Sequence, residues 1–311
     1  MEADNMSVTD TRIYSNGMPA LEDFIRRKRI TNRSPRTLSE YSRIVSRFFE
    51  WIGHQKPENV SERDIERYLE HMQERKLCQN SQAKYIEALA SFFSFLHGRP
   101  EYGLKVNPVA DLASEIKHER KPRPSSATWE NVRKNILSMT DPCDQAMAVL
   151  AAKAGFRISE ILGLELEDMD DQNGFALIRR GKGGKSRSVP IDDEVIKVLK
   201  RWLIVRPKDI KDNHIFISIR GKRMDRNSAR RRLNASAMTN GMTTGKDFTQ
   251  KFTPHTYRSV FTTEMRNARC REDILRMIRG DALRDIADIY TIVTPEQIKA
   301  EYERCVPKLG I

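Results

Sequence analysis

The stretch GFALIRRGKGGKSRSVPI, residues 174–191, is where the apolar pattern of the chain changes. Before and after it, apolar residues mostly recur at three- and four-residue spacing, which predicts helices. Within it, a β-prone run, a turn rich in glycine and lysine, and a second short run predict a hairpin. The segment HIFIS, residues 214–218, is a candidate for one further strand. The second half of the chain is therefore predicted to be mainly helical with a small antiparallel sheet at one edge.

Four amphipathic patterns in the first half predict a small helical bundle. In the second of them, an apolar stripe from Leu38 to Ile52 follows Ser34 and Pro35, which suit the N-cap and first turn of a helix. The other three stripes contain Leu21, Ile65 and Leu89. Helical spacing returns at 132–137, 146–150 and 159–166, and again beyond Arg226.

The segment KHERKPRPSS, residues 117–126, is charged, contains prolines and has no apolar period, which is typical of a linker. The 311 residues are about twice the length of a typical domain. We therefore predict a flexible tail (1–18), a helical domain (19–116), a linker (117–127) and a second domain (128–311).

The chain is strongly basic, with 55 Lys and Arg against 43 Asp and Glu and a formal net charge of +12. This excess favours a polyanionic partner, nucleic acid first and an acidic membrane surface second, although such charges also merely solvate many proteins. The segment RGKRMDRNSARRR, residues 220–232, holds seven cations and one acid. It predicts a nucleic-acid footprint, with four candidate contacts at Arg220, Lys222, Arg223 and Arg226.

The four cysteines show no CxxC spacing, so the sequence suggests neither a disulfide framework nor a zinc site. No apolar run approaches the roughly 18 residues that a membrane span needs, and the first twenty residues do not form a signal peptide. These features predict a soluble, cytoplasmic protein without membrane contact.

The turn GKGGKS in the predicted hairpin has part of a phosphate-binding loop pattern. The full pattern needs a glycine where the chain has Arg179, so a nucleotide-binding loop is excluded. A basic turn remains, in which Lys182, Lys185 and Arg187 either lie against a phosphate backbone or are simply solvated.

Three further motifs are weak when taken singly. In AGFRISEIL, Arg157 begins an apolar helix and has a structural explanation in a pair with Glu160. In PHTYRSVF, His255 and Arg258 lie three apart on one helix face and are able to hold an anion. In RGDALRDIADIYTIV, Tyr290 is either a packed aromatic or a phenol available for reaction.

Together these motifs resemble, in order and spacing, the tyrosine recombinase/integrase family of Xer-like and phage-integrase-like site-specific recombinases. The first domain resembles that family's helical core-binding (SAM-like) domain, in the segments SPRTLSEYSRIVSRFFEWI and NSQAKYIEALASFFSFL. Arg36 and Lys84 in these segments join the DNA-binding candidates. The resemblance implies a C-shaped clamp around double-stranded DNA.

The resemblance also implies a reaction. Tyr290 would attack the scissile phosphate to give a 3′-phosphotyrosyl link and a free 5′-hydroxyl, without metal or nucleotide cofactor. Arg157 and Arg258 would stabilise the charged transition state, Lys182 would protonate the leaving oxygen, and His255 would take the tyrosine proton or hold the phosphate.

The implied assembly is a homotetramer on DNA, and a monomer or weak dimer without it. The C-terminal segment 294–311 would then pack onto a neighbouring protomer, or alternatively onto its own.

One position departs from the family pattern. Where the family usually has LGH, this chain reads RGD and places Asp281 at the phosphate-contacting histidine. We expect Asp281 to pair with a cation and orient it; the alternative is that it faces solvent while Arg279 or Arg284 takes its place. Two functional alternatives follow: a non-catalytic DNA-binding protein of the same fold, or a nicking and rejoining enzyme like a type IB topoisomerase.

Overall fold

The computed structural model describes residues 18–116, 118, 127–179, 181, 186–208, 210–242, 252–281 and 293–311. The chain divides into two compact units, Met1–Pro122 and Arg123–Ile311. Residues 1–17 of the predicted tail and nearly all of the linker candidate lie outside the described residues, so the exact domain boundaries stay a prediction.

The first unit is a helical bundle, and its sequence signals are found where they were expected. Ser34 caps its helix by accepting a hydrogen bond from the Thr37 N–H at 3.2 Å, and Ser61 donates its N–H to Asp64 at 2.9 Å in a capping box. The bundle encloses an aromatic core that includes Phe24, Phe48, Phe49, Phe92 and Phe93. Its helices are α1 (Pro19–Ile30), α2 (Pro35–Trp51), α3 (Glu62–Glu74), α4 (Gln79–His97) and α5 (Ala110–Glu115).

The second unit combines helices with one three-stranded antiparallel sheet of order β1-β2-β3. Its strands are β1 (Met169–Asp170), β2 (Phe175–Ile178) and β3 (Arg187–Pro190). The predicted hairpin is β2 with β3, in which Ile178 lies opposite Arg187. The helices of this unit are α6 (Trp129–Leu137), α7 (Pro142–Lys153), α8 (Ile158–Ile161), α9 (Asp193–Val205), α10 (Arg226–Thr239), α11 (Pro254–Asn267), α12 (Glu272–Arg279) and α13 (Pro295–Cys305).

The candidate strand HIFIS does not join this sheet and makes only isolated bridges at its two ends. Side chains occupy two of the backbone carbonyls that a further strand would use. The His214 carbonyl accepts from Arg206 at 2.9 Å and the Ile215 carbonyl from the Trp202 indole at 2.9 Å. The short strand β1, which the sequence did not reveal, pairs with β2 instead.

Helix α7 is the centre of the second unit. All residues from Ala146 to Ala152 are fully buried, with α6, α9 and α11 packed around them. This stretch is apolar on every face, which is why it is buried on all sides. The neighbouring helices therefore hold the end of α7 in place, and the residues that follow it begin the candidate active site.

The C-terminal segment packs onto its own unit in the single chain. Lys153 at the end of α7 is fully buried and pairs with Asp192 at 2.8 Å and with Glu194. The Glu194 carboxylate also accepts the backbone N–H groups of Leu309 at 2.8 Å and Gly310 at 2.5 Å. None of the helices in the described part of the chain is long and apolar enough to cross a bilayer.

Candidate active site

Arg157 is positioned by the sharp turn between α7 and α8. Gly155 in this turn has φ +66°, and a Cβ there would lie 2.6 Å from the Phe261 ring, so both conformation and packing require glycine. Arg157 then caps α8. Its backbone N–H donates to the Glu160 carboxylate at 2.8 Å, and its Nη1 contacts the other carboxylate oxygen at 3.0 Å.

Arg258 reaches the same place from α11. Its side chain is almost fully buried and donates to the carbonyl of Gly155 and to that of Arg279, the latter at 2.9 Å. Burial, together with the positive charges of Arg157 and Arg279, lowers the pKa of Arg258 to about 10. The guanidinium therefore stays charged at neutral pH. His255, one turn earlier on α11, is exposed.

Asp281 lies between the two predicted arginines, two residues after the end of α12. Its Oδ1 is 2.9 Å from Arg157 Nη2 and 3.4 Å from Arg258 Nη2. Its Oδ2 is 3.3 Å from Arg279 Nη1. The cationic partner that the sequence predicted for Asp281 is thus a group of three arginines, which converge on its carboxylate.

Beneath this carboxylate lies a second one that the sequence did not single out as shared. Glu160 is 2% exposed in its side chain and accepts both Nη groups of Arg187, at 3.1 and 3.0 Å. Burial alone would raise the pKa of Glu160, but the hydrogen bonds from Arg187 and Arg157 lower it below its ordinary value. Glu160 therefore holds Arg157 from inside while Asp281 contacts it from the solvent side.

Arg187 binds groups within the protein, whereas one interpretation of the sequence placed it against a phosphate backbone. Its Nε donates to the Ile278 carbonyl at 3.0 Å and its two Nη groups bind Glu160. Gly280 packs against it: a Cβ at this position, where φ is +61°, would lie 2.6 Å from the guanidinium carbon. We call Arg157, Arg187, Arg258 and Arg279 the arginine cluster.

The other predicted site residues are placed as follows. Lys182, Lys185 and Tyr290, as well as the alternative Arg284, lie outside the described residues. Lys84 on α4 is half exposed and pairs with Glu40 at 2.5 Å. Exposed cations at the surface of their own units are Arg36, Arg220, Lys222, Arg223 and Arg226.

Comparison with known families supplies the identification. The model described as "Phage integrase family" matches residues 129–297, and "Phage integrase, N-terminal SAM-like domain" matches residues 20–101. The chain belongs to the phage integrase family. It is 28% identical over 289 residues to tyrosine recombinase XerA of Pyrococcus horikoshii, covering 91% of this chain and 92% of the relative. Tyrosine recombinase XerD of Proteus mirabilis is also 28% identical, with 88% of each chain covered.

Solved structures show the same fold. Lambda integrase in a dimer bound to a COC′ core site superimposes with a TM-score of 0.67 at 16% identity, covering 88% of this chain and 97% of that one. The Tn1549 transposon integrase in complex with circular intermediate DNA gives 0.65 at 19% identity, covering 92% and 99%. The predicted fold class, a mostly helical protein with a SAM-like first domain and a small antiparallel sheet, is therefore confirmed.

Family membership and these full-length relatives also confirm the predicted enzyme class. The protein is a tyrosine site-specific recombinase.

Proposed function

We propose that this recombinase cleaves and rejoins double-stranded DNA at an active site built around Arg157 and Arg258, with Tyr290 as nucleophile. One observation carries the proposal. The two guanidinium groups, from distant parts of the sequence, converge on a single carboxylate oxygen with Nη–O distances of 2.9 and 3.4 Å. An oxygen of a phosphodiester has the charge and the acceptor geometry to take that place.

Forked donors at this position act where charge develops. When Tyr290 Oη attacks phosphorus, the non-bridging oxygens gain negative charge, which Arg157 and Arg258 stabilise. The bond from phosphorus to the 5′-oxygen breaks, and Lys182 gives that oxygen its proton. The covalent link conserves the energy of the phosphodiester bond, so a 5′-hydroxyl reverses the step without a cofactor.

The phenol itself needs activation. With an ordinary pKa of about 10, only about one tyrosine in a thousand is ionised at neutral pH. His255 is exposed on α11, one turn before Arg258, and is the candidate to accept the proton or to hold a phosphate oxygen. Arg187 acts as a positioning residue in this scheme, because its donors bind Glu160 and the Ile278 carbonyl.

DNA contact outside the active site is assigned to the exposed cations of both units, in keeping with the net charge of +12. We further propose a tetramer on DNA and a cytoplasmic location. A lambda integrase tetramer has been solved bound to a Holliday junction, and the same fold here supports the same assembly. The phosphate contacts predict binding that weakens steeply with salt.

A suicide-substrate assay tests the reaction. The protein is incubated with nicked DNA from its own replicon, and SDS-resistant protein–DNA adducts are counted. Tyr290→Phe should abolish the adduct. Tyr302→Phe is the matched control, because Tyr302 is fully buried and unable to reach a phosphate. An adduct that survives in Tyr290→Phe would overturn the assignment of Tyr290 as nucleophile. If the wild-type protein forms no adduct on DNA that it binds, the result would favour the non-catalytic alternative.

A further inference from the structure

The Asp281 carboxylate occupies the position on which the guanidinium groups of Arg157 and Arg258 converge. Asp281 Oδ1 takes one hydrogen bond from each of Arg157 and Arg258, and Oδ2 faces Arg279. These are the same Nη groups that the proposed reaction directs at the scissile phosphate. Two anionic oxygens cannot share one position, since both need the same donors and each repels the other.

We propose that Asp281 is an internal competitor for the phosphate: its carboxylate fills the anion site of the free protein and is displaced when DNA enters. The proposal rests on the proposed function, which makes the position between Arg157 and Arg258 the phosphate site. It adds that the protein's own carboxylate sets how strongly this position binds an anion.

The two carboxylates differ in burial, which explains why Asp281, and not Glu160, is displaced by phosphate. The Glu160 side chain is 2% exposed and is held by four hydrogen bonds from Arg157 and Arg187. The Asp281 side chain is 31% exposed and lies at the solvent side of the cluster. A phosphate approaching from solvent therefore meets Asp281 first, and the displaced carboxylate has water available to solvate it.

Charge balance points the same way. Among the described residues, the arginine cluster sets four positive charges against the carboxylates of Glu160 and Asp281. Releasing Asp281 from the site lets an incoming phosphodiester replace its charge one for one. The free protein thereby keeps its arginines paired and in position before any DNA is bound.

A phosphate titration tests the competition without requiring DNA cleavage. Binding of inorganic phosphate is measured by the shift in melting temperature, at constant ionic strength, for wild type, Asp281→Asn and Asp281→Glu. Asp281→Asn should bind phosphate about tenfold more tightly, because it removes a like charge a few ångströms away. Asp281→Glu, which keeps the charge, should stay close to wild type.

The control variant is Asp171→Asn, which removes one carboxylate from the same unit at an exposed pair with Lys200. It should leave phosphate affinity unchanged. Asp281→Ser repeats the measurement should the amide variant fail to fold. Phosphate binding by Asp281→Asn or Asp281→Ser that is equal to or weaker than that of wild type would overturn the proposal, since an orienting role predicts that result.

The adduct assay separates this inference from the proposed function. Single-turnover cleavage at subsaturating DNA should be faster in Asp281→Asn than in wild type, and the difference should disappear at saturating DNA. Slower cleavage at every DNA concentration would overturn the competition. Tyr290→Phe should bind phosphate like wild type, so a failure to form adducts, with the titration behaving as expected, would count against the nucleophile alone.

Discussion

Replacing Glu160 by glutamine is the sharpest test of how the active site is held together. Glu160 accepts four hydrogen bonds, from the backbone N–H and Nη1 of Arg157 and from both Nη groups of Arg187. Glutamine keeps the size of the side chain but offers one acceptor oxygen and turns an NH₂ group toward donors. Two partly buried guanidinium groups then lose their shared counter-charge.

The size of the effect follows from burial. At 2% exposure, the Glu160 carboxylate is shielded from water, and removing one partner of such a buried pair typically costs about 3–5 kcal/mol. Because Arg157 and Arg187 keep part of their solvation, with side chains 27% and 13% exposed, we expect about 3 kcal/mol lost from the free energy of unfolding. The hydrogen bonds hold the pKa of Glu160 below its ordinary value of 4.5. A lowered carboxylate pKa stabilises the fold above about pH 4.5, so the difference from wild type should shrink as pH falls below that value.

Urea unfolding followed by tryptophan fluorescence measures this loss. In a Trp51→Phe background, the two remaining tryptophans, Trp129 and Trp202, both report on the second unit. Glu167→Gln is the control, because its pair with Arg179 is exposed to solvent and should contribute little to the free energy of unfolding. A Glu160→Gln variant within 1 kcal/mol of wild type at pH 7 would refute the idea that this buried carboxylate organises the site.

Two further predictions concern stability elsewhere in the second unit. Gly280→Ala should lower the free energy of unfolding by about 2–3 kcal/mol in urea titrations, because it adds left-handed strain and displaces the Arg187 guanidinium from its hydrogen bonds to Glu160 and the Ile278 carbonyl. Gly241→Ala is the control, because Gly241 has φ +69° and no atom of the described residues lies near the position of its Cβ. It should lose only the free energy of left-handed backbone strain, about 1 kcal/mol. Equal losses in both variants would contradict the contact between Gly280 and Arg187. Glu194→Gln should cost about 2 kcal/mol at pH 7 after allowance for solvent screening. Burial would raise the pKa of Glu194, but Lys153 and the backbone N–H groups of the C-terminal residues lower it to about 2. The loss of stability in Glu194→Gln should therefore shrink as pH falls below 4.5, which urea titrations at pH 7 and pH 3 measure. A loss that is the same at both pH values would argue against the ion pair of Glu194 with Lys153.

The features that the sequence predicted well are those fixed by neighbours along the chain. Ser34 followed by proline caps α2, and Arg157 and Glu160 meet because residues three apart lie on the same face of a helix. The hairpin of β2 and β3 follows from two β-prone runs around a glycine-rich turn. Each of these features depends on interactions between residues that are close together in the sequence.

The features that it did not predict depend on contacts between distant segments. Nothing in the spacing shows that Arg187 and Arg157 share one carboxylate, because that contact requires β3 to pack beside α12. Cys270 and Cys305 show no metal-site spacing, yet both sulfur atoms and a Glu301 oxygen lie within 4.8 Å of one another. Tertiary packing, not local pattern, brings such groups together.

The two carboxylates on Arg157 also explain why an aspartate is tolerated beside a phosphate site. With Asp281 removed, the arginine cluster would lose the carboxylate that contacts three of its members, and burial already lowers the pKa of both Arg258 and Arg279. Repulsion among these cations opposes folding, whereas the same repulsion favours any anion that enters. Asp281 relieves the repulsion until DNA arrives. The change that tightens phosphate binding, Asp281→Asn, should therefore also lower the free energy of unfolding of the second unit, and added phosphate should restore part of that loss.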